Sequence, residues 1–209
     1  MKSIAFSRFV AVAMLAAAAT ASALAAQAPA RPVVVIDPGH GGAEPGVVAG
    51  DLVEKDLVLR IGFAIAAEFV KHGYDVRLTR TGDYAVDWNE RRRFAEEAGA
   101  SLLLMLHLNQ DTTGVEHGAV LYAHLDDAAS SRAADAMAAA LRRAGSAAVI
   151  EARPLPFLQS TTVPTVMVEL AFLTHPVERR LAQMESFHQQ LGRALVDGAS
   201  TFGLRAARP

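Results

Sequence analysis

The sequence predicts an α/β fold, a single twisted, largely parallel sheet with helices on both faces. Three observations carry that reading. Short aliphatic runs such as Val33-Val34-Val35-Ile36 and Val166-Met167-Val168 are continuously apolar, as in strands covered on both sides, and do not alternate as half-exposed strands do. Longer segments between them carry apolar residues at helical spacing. The two kinds alternate along the chain, with no internal repeat and no second domain visible.

Taken in order, the first strand, 33–36, stops at Asp37-Pro38-Gly39-His40-Gly41-Gly42, which suits neither helix nor strand. Helical spacing from Leu57 to Val70 closes with Lys71 and His72 in the last turn and Gly73 beyond, a C-cap pattern. Asp75 to Thr79 reads as a second strand, Glu90 to Glu97 as a short helix, and Leu102 to Leu106 as a third strand of consecutive apolar residues. Ala119 to Tyr122 makes a fourth strand. Ala128 to Arg143 is a helix whose apolar side is mostly alanine, so a close-packed neighbour is expected. Val166 to Leu170 is a further buried strand, and 177–202 holds one or two closing helices.

Composition narrows the function. The 209 residues carry a formal charge of −2 and are 52% hydrophobic and 20% charged, enough for a real core and too balanced for the basic face that nucleic acid requires. Cysteine is absent, which removes thiol nucleophiles, disulfides and thiolate metal sites. Any metal must then be held by histidine and carboxylate. The glycines of 39–42 are not followed by Gly-Lys-Ser/Thr, and no Gly-x-Ser-x-Gly occurs, so a phosphate loop and a serine-hydrolase elbow are not expected.

The amino terminus reads as an address. Lys2 and Arg8 precede an apolar run from Phe9 to Leu24, and Ala23-Leu24-Ala25 places small residues where a signal peptidase reads. The expected organisation is a signal peptide over 1–25, a short linker over 26–32 and one catalytic domain over 33–205. The run is short for a transmembrane helix, so no anchor is expected after cleavage and the mature protein is expected in the periplasm.

Ligands of open α/β sheets bind beyond the carboxyl ends of the strands. Four polar residues fall there. His40 follows the first strand, Glu54 precedes the first helix, His107 ends the leucine-rich strand, and Glu169 interrupts an aliphatic one. Taken singly, His40 suits a loop and Glu54 suits the positive end of a helix dipole. His107 and Glu169 are harder to place innocently, because an imidazole or carboxylate among aliphatics needs a partner. Together they suggest a zinc hydrolase, with two imidazoles and one carboxylate filling three tetrahedral positions and water the fourth.

The segment VVIDPGHGGAEPG, from Val34 to Gly46, resembles the opening motif of the zinc-dependent N-acetylmuramoyl-L-alanine amidases of the type 3 group. The resemblance continues through Glu54-Lys55-Asp56, Leu78-Thr79-Arg80 with Asp83, Arg91, His107-Leu108-Asn109 and the closing Val168-Glu169-Leu170-Ala171-Phe172-Leu173-Thr174. It implies one zinc held by His40, Glu54 and His107, with Glu169 assisting catalysis. The implied reaction is hydrolysis of the amide between the lactyl group of N-acetylmuramic acid and L-alanine in peptidoglycan. Glu44 stands where the family usually has aspartate, Ala171 where it has glycine, and Glu96, Ser101 and Met105 depart from its asparagine, aspartate and serine. The interval from His107 to Glu169 is short for the inhibitory helix of the cell-division members, so no activator protein is expected. A zinc peptidase cutting within the stem peptide and a non-catalytic peptidoglycan-binding protein are the alternatives.

The remaining candidates read as structural. His72, His117, His124, His175 and His188 suit caps, loops and helix surfaces, although His117 and His124 flank the fourth strand closely enough for one to touch substrate. Trp88 is expected to pack and not to serve as a sugar platform. Arg91-Arg92-Arg93 is expected as a solvated helix face, with Arg91 turned inward as the resemblance suggests.

Overall fold

A computed structural model of the chain describes residues 31–206 apart from Leu125, so the expected signal peptide lies outside the described residues. Eight strands are present among them: β1 (Val33–Pro38), β2 (Val48–Ala49), β3 (Leu52–Val53), β4 (Asp75–Leu78), β5 (Leu102–Asn109), β6 (Ala119–Ala123), β7 (Ala148–Ile150) and β8 (Thr165–Phe172). Six of them form the main sheet in the order β4-β1-β5-β8-β6-β7, and β2 and β3 pair as a small hairpin. The helices are α1 (Glu54–Lys71), α2 (Trp88–Glu97), α3 (Ala128–Arg143), α4 (Pro176–Leu181) and α5 (Glu185–Phe202). Neighbouring strands of the sheet are parallel, except that β6 runs antiparallel to β8, pairing Val120 with Glu169 and Ala123 with Val166.

The two faces of the sheet are covered unequally. Val34, Ile36, Leu104, Leu106 and Val168 point into a large core shared with α1, α3 and α5. Val35, Leu103, Met105, Val120 and Met167 point the other way, into a smaller cluster closed by Ala95 of α2 and by Leu155, Phe157 and Leu158 of the segment 151–164. Because side chains alternate along a strand, the next residue on this thinner face is fixed by counting two. Val35 leads to Asp37, Met105 to His107 and Met167 to Glu169. His107 and Glu169 therefore emerge side by side where the apolar floor ends, and Asp37 stands one step before them, level with Met105.

Several boundaries differ from the sequence expectation for identifiable reasons. β1 and β5 run on to Pro38 and Asn109, because backbone pairing continues after the side chains turn polar. α1 begins at Glu54, which is its first residue and does not stand before it, since the opening Glu-Lys-Asp turn is polar and carries no apolar period. β7 and the hairpin are too short for a periodic signal. The caps follow local chemistry. Asp87 accepts from the Glu90 amide at 2.9 Å while the Glu90 carboxylate accepts from the Asp87 amide at 3.0 Å, a reciprocal capping box that starts α2. Asp127 caps α3, and Ser130 Oγ in its first turn accepts from the Thr165 amide at 2.9 Å, tying the helix to the start of β8.

The alanine-rich face of α3 packs closely on α5, as expected. Contact is close enough that a Cβ on Gly198 would stand 2.8 Å from Met137 Cα. Gly198→Val is accordingly expected to cost about 1–3 kcal/mol by overpacking. The urea midpoint should fall with an unchanged m-value, and an unchanged midpoint would show that the two helices can separate freely.

Candidate functional site

The loop after β1 is held by two buried arginines. Arg91, from α2, pairs with Asp37 Oδ1 and donates to the carbonyls of Pro38 at 2.9 Å and His40 at 2.8 Å. Arg80, just after β4, donates to Pro38 O at 2.9 Å, Gly39 O at 2.8 Å and Lys55 O at 2.7 Å. Burial, together with the neighbouring Arg91 charge, lowers the Arg80 pKa from its ordinary value. Thr79 Oγ1 donates to the same Asp37 oxygen. Three successive carbonyls thus find charged donors, and His40 is held at φ 58°, a left-handed conformation uncommon outside glycine. Lys55 Nζ completes the fixing, donating to Gly42 O at 2.8 Å and Asp83 Oδ2 at 2.7 Å.

His40, Glu54 and His107 come together at the end of this loop. His40 Nε2 lies 3.0 Å from Glu54 Oε1, His107 Nδ1 lies 3.1 Å from the same oxygen, and the two ring nitrogens are 3.1 Å apart. Glu54 is itself anchored, its Oε1 accepting from the Leu108 amide at 2.9 Å and its Oε2 from the Val47 amide at 2.8 Å. Burial alone would raise the Glu54 pKa, but hydrogen bonds from His107, His40 and Val47 prevail and hold it down at about 2. For His40, burial acts to lower the pKa and is outweighed by the carboxylates of Glu54 and Glu44, so the net shift is upward.

This triangle fits a divalent metal. A proton can satisfy only one of its three edges at a time, whereas a cation attracts all three atoms at once. Ligand atoms about 2.0–2.1 Å from a tetrahedral metal stand about 3.3 Å apart, close to the separations here, and two imidazoles with a carboxylate are a common donor set. His40, Glu54 and His107 are the cluster of this kind found among the described residues. Two glycines make room for it. A Cβ on Gly39 would stand 2.5 Å from His107 Nε2, and one on Gly46 would stand 2.5 Å from Glu54 Oε2.

Glu169 does not join the triangle but stands beside it, level with His107 in the β5–β8 register. Its Oε2 is buried with no hydrogen-bond partner, and burial pushes its pKa up to about 7. All four residues border one cleft of about 390 Å³ on the thinner face of the sheet. Trp88, expected only to pack, stacks on Phe157 with ring centroids 4.2 Å apart, yet remains exposed at the cleft rim. Arg91 does turn inward.

The two flanking histidines do not reach the cleft. The antiparallel direction of β6 carries His124 to the opposite end of the sheet, and His117 stands instead against His175, with ring centroids 5.4 Å apart. Sequence reasoning missed Gly46 and the wall formed by Arg153, Leu155 and Phe157. The unusual Arg153-Pro154-Leu155-Pro156-Phe157 stretch was the available signal for that wall.

Comparison with known proteins is consistent across sequence and fold. Residues 34–201 match the family model described as N-acetylmuramoyl-L-alanine amidase. The chain is 28% identical to N-acetylmuramoyl-L-alanine amidase AmiA of Escherichia coli, over 81% of this chain and 75% of that protein. It superimposes on the catalytic domain of CwlV, an N-acetylmuramoyl-L-alanine amidase from Bacillus (Paenibacillus) polymyxa, with a TM-score of 0.75 and 25% identity over 81% of this chain and 96% of that one. The fold is also that of the Clostridioides difficile CwlD amidase, solved in complex with the GerS lipoprotein (TM-score 0.76, 21% identity, 82% of this chain and 98% of that one).

Removing one partner of a buried ion pair typically costs about 3–5 kcal/mol. Arg91→Met should therefore lose about that much in urea unfolding and lose divalent-metal retention with it. Arg92→Met, which breaks the partly exposed pair with Glu96 at 2.8 Å, should cost less than about 1 kcal/mol. Equal losses for the two variants would remove Arg91 from its role in fixing the loop.

Proposed function

The chain belongs to the N-acetylmuramoyl-L-alanine amidase family and is a peptidoglycan amidase, and from that premise we propose that it uses zinc held by His40, Glu54 and His107, with Glu169 as its general base and acid. The observation that carries the reading is the convergence of His40 Nε2, Glu54 Oε1 and His107 Nδ1 to within 3.0–3.1 Å, with Glu169 in register beside them. Zinc bound there would supply Lewis acidity, polarising the lactyl carbonyl and making water acidic enough to attack at neutral pH.

The residues divide the remaining work. His40 and His107 present their ring nitrogens because loop and strand fix the rings in place. Glu54 keeps a negative charge through its two backbone donors. Glu169, with a pKa near neutrality, can take a proton from the attacking water and return it to the nitrogen that leaves as the amino group of L-alanine. The products are a muramic acid with a free lactyl carboxyl group and a peptide beginning at L-alanine.

The proposal extends to setting and control. The segment 1–25 would direct export and be removed after Ala25, leaving a periplasmic protein whose described helices include none long and apolar enough to cross a membrane. Activity would need no activator. Between His107 and Glu169, the long helix α3 packs on the opposite face of the sheet, and the segment 151–164 leaves the cleft bordered rather than filled.

Mass spectrometry of products from purified peptidoglycan, with residues 26–209 and no added protein, tests the whole reading. Peptides beginning at L-alanine that vanish with chelator are expected. Internal cuts would indicate a peptidase, and inertness until a partner is added would remove the activator-free proposal. Glu169→Gln should keep its zinc while hydrolysis falls about 10²–10⁴-fold. His40→Ala should lose zinc and activity together, and full zinc occupancy in that variant would refute the ligand assignment.

A further inference from the structure

Resting on the amidase reading, we propose that Arg153 recognises a free carboxylate on the peptide side of the substrate and so selects acidic over amidated stem peptides. Arg153 borders the same cleft as His40, Glu54, His107 and Glu169, and it is the one lysine or arginine among the described residues that do so. Its guanidinium is aimed along one edge. Nε lies 3.2 Å from Glu151 Oε2, Tyr122 donates its hydroxyl to that same oxygen at 3.3 Å, and the guanidinium carbon stands 5.8 Å from the centroid of the Tyr122 ring. The side chain nevertheless remains 64% exposed, and among the described residues Glu151 is its one ion-pair partner. Arg153 thus borders the cleft with its Nε edge beside Glu151 and most of its side chain open to solvent, and a guanidinium so placed keeps two terminal nitrogens with which to bind a carboxylate through two parallel hydrogen bonds.

The reaction itself says where that carboxylate must be. The lactyl carboxyl of the muramic acid is consumed in the bond to be cleaved, and its acetamido sugar is neutral. Any free carboxylate near the scissile bond is on the peptide. Among the charged side chains that border the cleft, Glu54 and Glu169 are carboxylates, so Arg153 is the one able to pair with that group.

The test uses zinc-loaded protein and two N-acetylmuramoyl-peptides that differ only in whether the peptide carboxylates are free or converted to carboxamides. The unaltered protein should favour the acidic substrate on the order of 10- to 100-fold in kcat/KM, the worth of a charge-assisted hydrogen bond, mainly through KM. Arg153→Gln should make the two substrates equivalent, with thermal midpoint and zinc content unchanged, and Arg153→Lys should regain part of the preference. A preference that survives Arg153→Gln, or one absent from the unaltered protein, would overturn the proposal. In either case release of L-alanine-terminated peptides from both substrates would leave the amidase reading standing, whereas no such peptide from any sample would remove both.

Discussion

Two guanidinium groups buried beneath one loop are the constraint on which the rest of this structure depends. The chain leaves β1 through Asp37-Pro38-Gly39-His40 and immediately buries carbonyls that no strand or helix partner can reach. Left unpaired, each would carry a desolvation cost of about 1–3 kcal/mol. Arg80 and Arg91 answer three of them in sequence, while Asp37 offsets part of the charge they bring. The arginines come from separate places, one just past β4 and one from α2. The loop is therefore pinned only when the sheet edge and the short helix are both in position. That dependence explains why His40 can occupy a left-handed backbone conformation, and why its ring meets Glu54 and His107 without help from a local motif such as paired histidines on one helix.

The sheet separates stability from chemistry by face. Against α1, α3 and α5 it presents aliphatics with little interruption, and the closest helix contact is made possible by alanine and Gly198. On the other face the cover is thin, a ten-residue helix and an irregular segment, and here the alternation passes from apolar to polar within two residues on three adjacent strands. The cleft arises from that incompleteness. A second full helical layer would close access to Glu169 and to the triangle.

Much of this is legible in the amino-acid sequence alone. Continuous apolar runs announced the central strands, and the polar residues that interrupt or end them, His107 and Glu169 above all, stood out because aliphatic surroundings give them no reason to be there. Glu54 taken alone has an ordinary explanation, a carboxylate in a first helical turn, and it gains weight only in company with the two histidines and from the resemblance. What could not be read was anything decided by direction or by long-range contact. The antiparallel course of β6 moves His124 away from the site although its sequence position suggests proximity. The wall carrying Arg153 and Phe157 has no periodicity, and its place over the cleft is set by contacts such as Glu96 with Thr162 at 3.1 Å and Phe157 with Trp88, between residues distant in sequence. Gly46 reads as a turn residue until the carboxylate beside it is seen.

The register that sets His107 level with Glu169 has a bearing on how such a protein can change over time. A strand cannot slip by one residue against its neighbour without turning its own side chains to the other face, so the pairing of His107 with Glu169, which holds up to the irregularity between His107 and Asn109, is inherited with the sheet and does not adjust by small steps. The segment 151–164 carries no such obligation. Lineages descended from this fold are thus free to vary what enters the cleft, residue by residue along that segment, while the reacting groups stay where the ladder of backbone hydrogen bonds has put them.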